Sequence, residues 1–244
     1  MSEVENGSAS SKGTLFLLPN SLGRATPDWH SKELINAASS CQHFIVESHK
    51  MSRRLLHKLA PERDLDALEY YHLHKRVTAI DVNEMIQPLL QGHHMGLISD
   101  AGLPAVADPG SLIVTAAHRQ SIRVSPIPGP SSIFLALMAS GLNGQHFEFV
   151  GYVSQQDSQR KNQLKALTNK ILKTGTTVVF IETPYRNPVL YAQILELVSP
   201  DLRLCLALDL TQATEEIATR HIADWKKVKA PNLEKRPCVF LLGK

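Results

Sequence analysis

Past a polar opening dozen residues, the chain alternates short apolar runs with longer stretches whose apolar positions recur every three or four residues. The first run, residues 14–18, is stopped by Pro19-Asn20-Ser21 and predicts a short buried strand. Further strands are predicted at 43–47, 68–72, 96–99 and 123–127, with helical periodicity over 33–40, 83–90 and 111–119 between most of them. That alternation predicts a mainly parallel sheet covered by helices. Pro126-Ile127-Pro128-Gly129-Pro130 is a stiff turn, and a domain junction is read near Pro128. A helix over 131–140, rich in Ala and Leu, then ends at Gly141. Strands at 147–153, 177–181, 203–208, 216–221 and 238–242 follow, with helices over 158–172 and 188–198. Strands crowd the C-terminal end, so this second sheet is expected to be mixed. The predicted fold class is therefore two α/β domains: a disordered leader at 1–12, a domain at 13–127 with a mainly parallel sheet, and a domain at 128–244 with a mixed sheet.

Composition agrees with this plan. With 244 residues, 43% hydrophobic and 20% charged, the chain can bury a sizeable core and fills two domains of ordinary size. No run approaches the roughly 18 consecutive apolar residues of a membrane span, and the opening lacks a basic start and an apolar h-region, so a cytoplasmic protein without membrane contact is expected. Cys41, Cys205 and Cys238 are odd in number, far apart and flanked by apolar residues, which predicts buried reduced thiols. A net charge of +3 does not establish nucleic-acid binding, and the basic groups Arg53, Arg54, Lys58 and Lys226, Lys227, Lys229 read as solvated surface. The 11 histidines include the pairs His72/His74 and His93/His94, but no second motif completes a metal-ligand pattern, and no metal is expected.

The densest chemical signal is Leu97-Ile98-Ser99-Asp100-Ala101-Gly102-Leu103-Pro104-Ala105-Val106-Ala107-Asp108-Pro109-Gly110, a buried strand running into a loop of small residues and then a helix. In open α/β sheets, ligands bind beyond the strands' carboxyl ends, where small residues such as Ala101 and Gly102 let backbone groups approach closely. Asp108 reads as a helix cap with Pro109 at the first helical position. Asp100, at the strand exit, can accept a ligand's hydrogen bonds or order its own turn. The segment after the first strand contains no G-x-G-x-x-G, and the chain has no phosphate loop, G-x-S-x-G elbow or H-E-x-x-H pair. The residues alone stop at an α/β protein with a ligand crevice.

Taken together, Leu15-Phe16-Leu17-Leu18-Pro19 with Leu22-Gly23, Ser99 through Pro104, Ala107-Asp108-Pro109-Gly110 and Pro126 through Ser132 resemble the tetrapyrrole methylase family, closest to its ribosomal-RNA 2′-O-methyltransferase branch. The likeness continues through Gly141-Leu142, residues 147–151, residues 177–183 with Arg186, and Leu210-Thr211 with Glu215. It implies two α/β domains with S-adenosylmethionine in the cleft between them, within a homodimer. By position in the family's pattern, the cofactor-binding residues are Leu22, Ser99, Asp100, Ala101, Gly102, Pro104, Val106, Ser131, Ser132, Ile181 and Glu182, with Glu47 nearby. Ser131 and Ser132 also suit a helix start, and Glu47 and Glu182 also suit exposed strand-end carboxylates.

Three departures fall on the substrate side. Where the RNA branch typically shows Glu-Asp-Thr-Arg, this chain has Glu47-Ser48-His49-Lys50; Gly-Asn-Leu becomes Gly23-Arg24-Ala25, and Glu-Leu-Thr-Lys becomes Asp209-Leu210-Thr211-Gln212. The expected chemistry is direct in-line methyl transfer, with Glu47 and Asp100 as candidate catalytic bases. Three functions stay open: 2′-O-methylation of a ribose in 16S (small-subunit) ribosomal RNA, methylation of a small tetrapyrrole or corrin, and a non-enzymatic cofactor-binding interaction module.

Overall fold

A computed structural model describes residues 12–23, 29–74 and 76–244. Residues 1–11 of the predicted leader lie outside the described residues. The chain divides into two compact units, Met1–Pro130 and Ser131–Lys244.

The first unit runs β1 (Thr14–Leu18), α1 (Lys32–Ser40), β2 (His43–Val46), α2 (His49–Leu59), β3 (Glu69–His72), α3 (Ala79–Met85), α4 (Gln87–Leu90), β4 (Met95–Ile98), α5 (Gly110–Arg119) and β5 (Arg123–Pro126). Its sheet has the order β3-β2-β4-β1-β5, and every pairing is parallel, as the alternation of strands and helices predicts. Side chains two apart share a face of a strand, so Leu18, Phe44, Val46 and Ile98 pack under α1 and α2, while Leu15, Ile45, Met95 and Leu97 pack against α3, α4 and α5.

Two elements differ from expectation. Helix α2 is missed by periodicity because its buried stripe, Ser52, Leu55, Leu56 and Leu59, is thin and interleaved with basic residues. The helix expected at 83–90 starts earlier, at Ala79, with a capping box between Thr78 and Asp81, and it breaks at Ile86. Pro88 explains the break, since it lacks an N–H and its ring opposes the carbonyl one turn back.

The turns after the neighbouring strands β1 and β5 are pressed together. A Cβ on Gly129 would lie 2.2 Å from Pro19 Cβ, closer than any carbon contact tolerates. Gly129→Ala should therefore cost about 1–3 kcal/mol as the turns are forced apart. Urea unfolding measures this, and an unchanged midpoint would show that the turns part freely.

The second unit runs α6 (Ser132–Ser140), β6 (Phe147–Tyr152), α7 (Asp157–Thr174), β7 (Thr177–Ile181), a 3-10 turn (Pro184–Arg186), α8 (Asn187–Leu197), β8 (Arg203–Leu208), β9 (Glu216–His221), α9 (Ile222–Trp225) and β10 (Cys238–Gly243). The order is β6-β7-β10-β8-β9, with β6 and β7 parallel and the other pairings antiparallel, which is the expected mixed sheet. One face (Val178, Phe180, Leu206, Phe240) carries α7, α8 and α9, and the other (Val179, Cys205, Val239, Leu241) carries α6.

All three cysteines are free and buried, and burial pushes the Cys41 thiol up to about 12, so they sit in the core as unreactive apolar groups. Among the described residues no helix is long and apolar enough to cross a membrane.

Candidate functional site

Because the first sheet is wholly parallel, the carboxyl ends of its strands share one end of the unit. β1 and β4 are adjacent there, yet the chain leaves β1 for β2 on one side and leaves β4 for β5 on the other. The helices that follow them, α1 and α5, accordingly lie in the cores on opposite faces of the sheet. This is a topological switch point, where departing connections open a crevice.

The crevice is lined by backbone held in place by side chains. Asn20, just past β1, is buried; its Nδ2 donates to the carbonyls of Ser99 (3.1 Å) and Asp100 (3.2 Å). Its backbone pairs with Gly102 in both directions, at 2.8 and 3.1 Å. Ser99 Oγ donates back to the Ala101 carbonyl at 3.2 Å, tightening the turn. Gly102 adopts φ +72°, and a Cβ there would come within 3.3 Å of Leu22, so glycine serves both the conformation and the close approach.

Glu47, at the end of β2, reaches across to this turn: its Oε2 accepts from the Asp100 N–H at 2.9 Å. The Glu47 carbonyl meets His72 Nε2 at 2.8 Å, so the end of β3 joins the same group. Asp100 presents its side chain to solvent. Partial burial nevertheless holds its carboxyl above the ordinary aspartate range, against a smaller downward pull from the charge of His72.

The loop continues through Ala105 and Ala107, which have φ of 66° and 63° although neither is glycine. Each such residue carries roughly 1–2 kcal/mol of backbone strain. Asp108 holds the strained segment, its Oδ1 accepting from the amides of Ala105 (3.0 Å) and Gly110 (2.7 Å). Its predicted capping place shifts by one residue: the helix begins at Gly110, with Pro109 at the cap rather than inside the first turn. Pro104 is buried under this loop, and Val106 is exposed on it. Strain over-determined by its surroundings is characteristic of ligand loops.

In the second unit, Ser131 occupies the N-cap of α6 without a side-chain capping bond, and Ser132 is the first helical residue. Ile181 ends β7, half-buried beside the α6 core. Glu182 corrects the alternative reading of an exposed carboxylate, being 5% exposed. Its Oε1 accepts from Arg186 Nη2 (2.6 Å) and the Thr183 amide (2.6 Å), while Oε2 is buried without a hydrogen-bond partner. Across the same sheet end, Asp209 Oδ2 accepts from Arg236 Nε at 2.6 Å.

Leu22, Glu47, Ser99, Asp100, Ala101 and Gly102 are thus gathered at one strand-end cluster of the first unit. Asn20 and Arg236 organise their clusters but escaped sequence reasoning. The available signal at Asn20 was a lone amide directly after a strand-ending proline.

Residues 21–225 match the family model of Tetrapyrrole (Corrin/Porphyrin) Methylases. The chain is 31% identical over 206 residues to "Ribosomal RNA small subunit methyltransferase I" of Halalkalibacterium halodurans, covering 84% of this chain and 67% of that one. It is 30% identical over 206 residues to the protein of the same name from Leptospira biflexa, covering 84% and 81%. In fold it is similar to the crystal structure of the methyltransferase CobJ (TM-score 0.64, 16% identity, covering 95% of this chain and 94% of that one). A second likeness in fold is to a Thermus thermophilus uroporphyrin-III C-methyl transferase complexed with S-adenyl homocysteine (TM-score 0.58, 17% identity, covering 95% and 98%).

Proposed function

Because this chain belongs to the tetrapyrrole (corrin/porphyrin) methylase family and is an S-adenosylmethionine-dependent methyltransferase, we propose that its acceptor is a ribose 2′-hydroxyl of small-subunit ribosomal RNA. The observation that carries the acceptor is the 30–31% identity to two ribosomal RNA methyltransferases over 84% of the chain. Likeness to a porphyrin methyltransferase is at 17% identity and concerns fold alone.

The residues fit the cofactor. A left-handed glycine beside Leu22 and a loop of small residues leave room for close backbone contacts, and the buried, unpartnered Glu182 Oε2 is an acceptor suited to an amine or hydroxyl donor. The proposed cofactor residues are Leu22, Ser99, Asp100, Ala101, Gly102, Pro104 and Val106 in the first unit and Ser131, Ser132, Ile181 and Glu182 in the second. When bound, S-adenosylmethionine supplies a methyl group made electrophilic by its sulfonium. A ribose hydroxyl is a weak nucleophile, and a positioned base eases its attack by taking the proton. Asp100 is the base in this reading, since its carboxylate faces solvent and is held above the ordinary range. Glu47, whose Oε2 is engaged with the Asp100 amide, positions the turn. Residence in the cytoplasm and assembly as a homodimer belong to the same reading.

The test is to incubate the purified chain with methyl-labelled S-adenosylmethionine and small ribosomal subunits from cells lacking it. Label should appear on one ribose. Absence of label, with cofactor binding confirmed separately, would overturn the RNA acceptor and favour a corrin or porphyrin acceptor or a non-catalytic role.

A further inference from the structure

Helix α2 starts two residues past Glu47, and six of its 11 residues are Lys, Arg or His, with none acidic. Its buried stripe, Ser52, Leu55, Leu56 and Leu59, has the i, i+3, i+4, i+7 spacing of one helix face. At 100° per residue, Lys50, Arg54 and His57 fall together on the opposite face, and all three are exposed. The flanking Arg53 is occupied, bonded to Asp66 (2.7 Å) and the Leu65 carbonyl (3.1 Å).

Two features separate this face from ordinary solvated surface. The first is its electrostatic cost. A helix N-terminus carries partial positive charge and disfavours cations, and α1, α3 and α7 place Glu33, Asp81 and Asp157 in their first turns. α4, α5, α6 and α8 carry no charged side chain there, and among the described α-helices α2 is the one with a cation, Lys50, and no acid beside it. The second is position: the stripe starts beside the Glu47 to Asp100 hydrogen bond, at the edge of the crevice. A face with two permanent cations, a histidine and no carboxylate complements a polyanion.

We propose that Lys50, Arg54 and His57 form a phosphate-contacting stripe that seats the backbone of the RNA carrying the methyl acceptor. This rests on the RNA reading above and adds the surface that holds the substrate. Phosphate contacts position a nucleic acid without reading its sequence, so the stripe supplies affinity and register rather than choice of nucleotide.

The experiment measures binding of the full chain with S-adenosylhomocysteine to small ribosomal subunits from cells lacking it, as salt rises from about 50 to 200 mM. Wild type is compared with Lys50→Ala/Arg54→Ala and, as a control, Lys226→Ala/Lys229→Ala. Loss of two phosphate contacts should flatten the slope of log affinity against log salt by about 1.4–1.8, so the variant loses roughly tenfold less affinity across that range. Its affinity at low salt should fall, while thermal stability stays at or slightly above the wild-type level, since the unfavourable cation at the helix N-terminus is gone, cofactor affinity is unchanged and the control keeps the wild-type slope. Lys50→Glu should raise the melting temperature, because it relieves the dipole, and still weaken RNA binding. A fold-only role for Lys50 predicts no such loss. If wild type binds and the double variant keeps its slope and affinity, the stripe fails while the RNA acceptor stands. If wild type neither binds in a salt-dependent way nor transfers label, both fail.

Discussion

Asp100→Asn should slow methyl transfer by about 10²–10⁴-fold, the usual contribution of a general base, while cofactor affinity stays within a few-fold. Asparagine keeps the shape and the backbone of the turn, including the Asp100 N–H bonded to Glu47, and removes the negative charge and with it the ability to take a proton. Glu47→Gln should be far milder, because an amide oxygen can still accept from that N–H. The pH profile gives a second reading of the same claim. A base works when ionised, and burial holds Asp100 above its ordinary value, so kcat/KM should rise with pH through that raised range. The charge of His72 opposes the shift. Removing it in His72→Ala should let the Asp100 value climb further and move the acid limb to higher pH. Single-turnover methylation of small subunits across pH checks both. An Asn variant with wild-type turnover would reduce Asp100 to a positioning residue.

Arg236→Ala should destabilise the second unit by about 3–5 kcal/mol, since it strands a buried charge. Arg236 is a hub: it donates to Asp209 Oδ2 (2.6 Å), Glu216 Oε2 (3.0 Å) and the carbonyls of Thr214 (2.6 Å) and Asn232 (3.1 Å). The Asp209 side chain is only 8% exposed, so water cannot take the guanidinium's place without opening the sheet end. Backbone strain adds to the dependence, because Asp209 and Thr211 sit at φ 47° and 70° within the segment that Arg236 holds. Lysine has one point charge where arginine has a planar fork of donors, so Arg236→Lys should recover only part of the loss. Urea unfolding followed through the buried Trp225, which packs in this unit's core, measures the effect. A loss under about 1 kcal/mol would show that Asp209 is satisfied without Arg236.

Much of the architecture was legible in local pattern. Thr177–Ile181, Arg203–Leu208 and Glu216–His221 coincide with their predicted ranges, because each is an apolar or alternating run bounded by turn residues. Helix α2 was obscured by its own cations, and the break at Ile86 depended on where Pro88 met a helix that starts four residues upstream of the expected one. The first half of the candidate site was readable for a related reason: Ser99, Asp100, Ala101 and Gly102 are consecutive and follow a buried strand. Glu182 was not, since one carboxylate after an apolar run looks the same exposed or buried.

By itself, then, the sequence determined which segments are strands and where most of the helices lie, α2 and the bounds of α3 excepted, that the first sheet is parallel and the second mixed, and where a small-residue loop interrupts the pattern. Those properties depend on side-chain periodicity and backbone preference within a few residues. Tertiary structure alone decided the neighbours: β4 lies between β2 and β1, which brings Glu47 to Asp100 across 53 residues and Asn20 to Gly102. It also decided burial, sealing Glu182 with Arg186 and Asp209 with Arg236 at the end of the second sheet. Burial and the long-range partners depend on which strand pairs with which, a property of the assembled chain that no local window contains; Arg186, four residues from Glu182, is a local partner, and there only the burial was hidden.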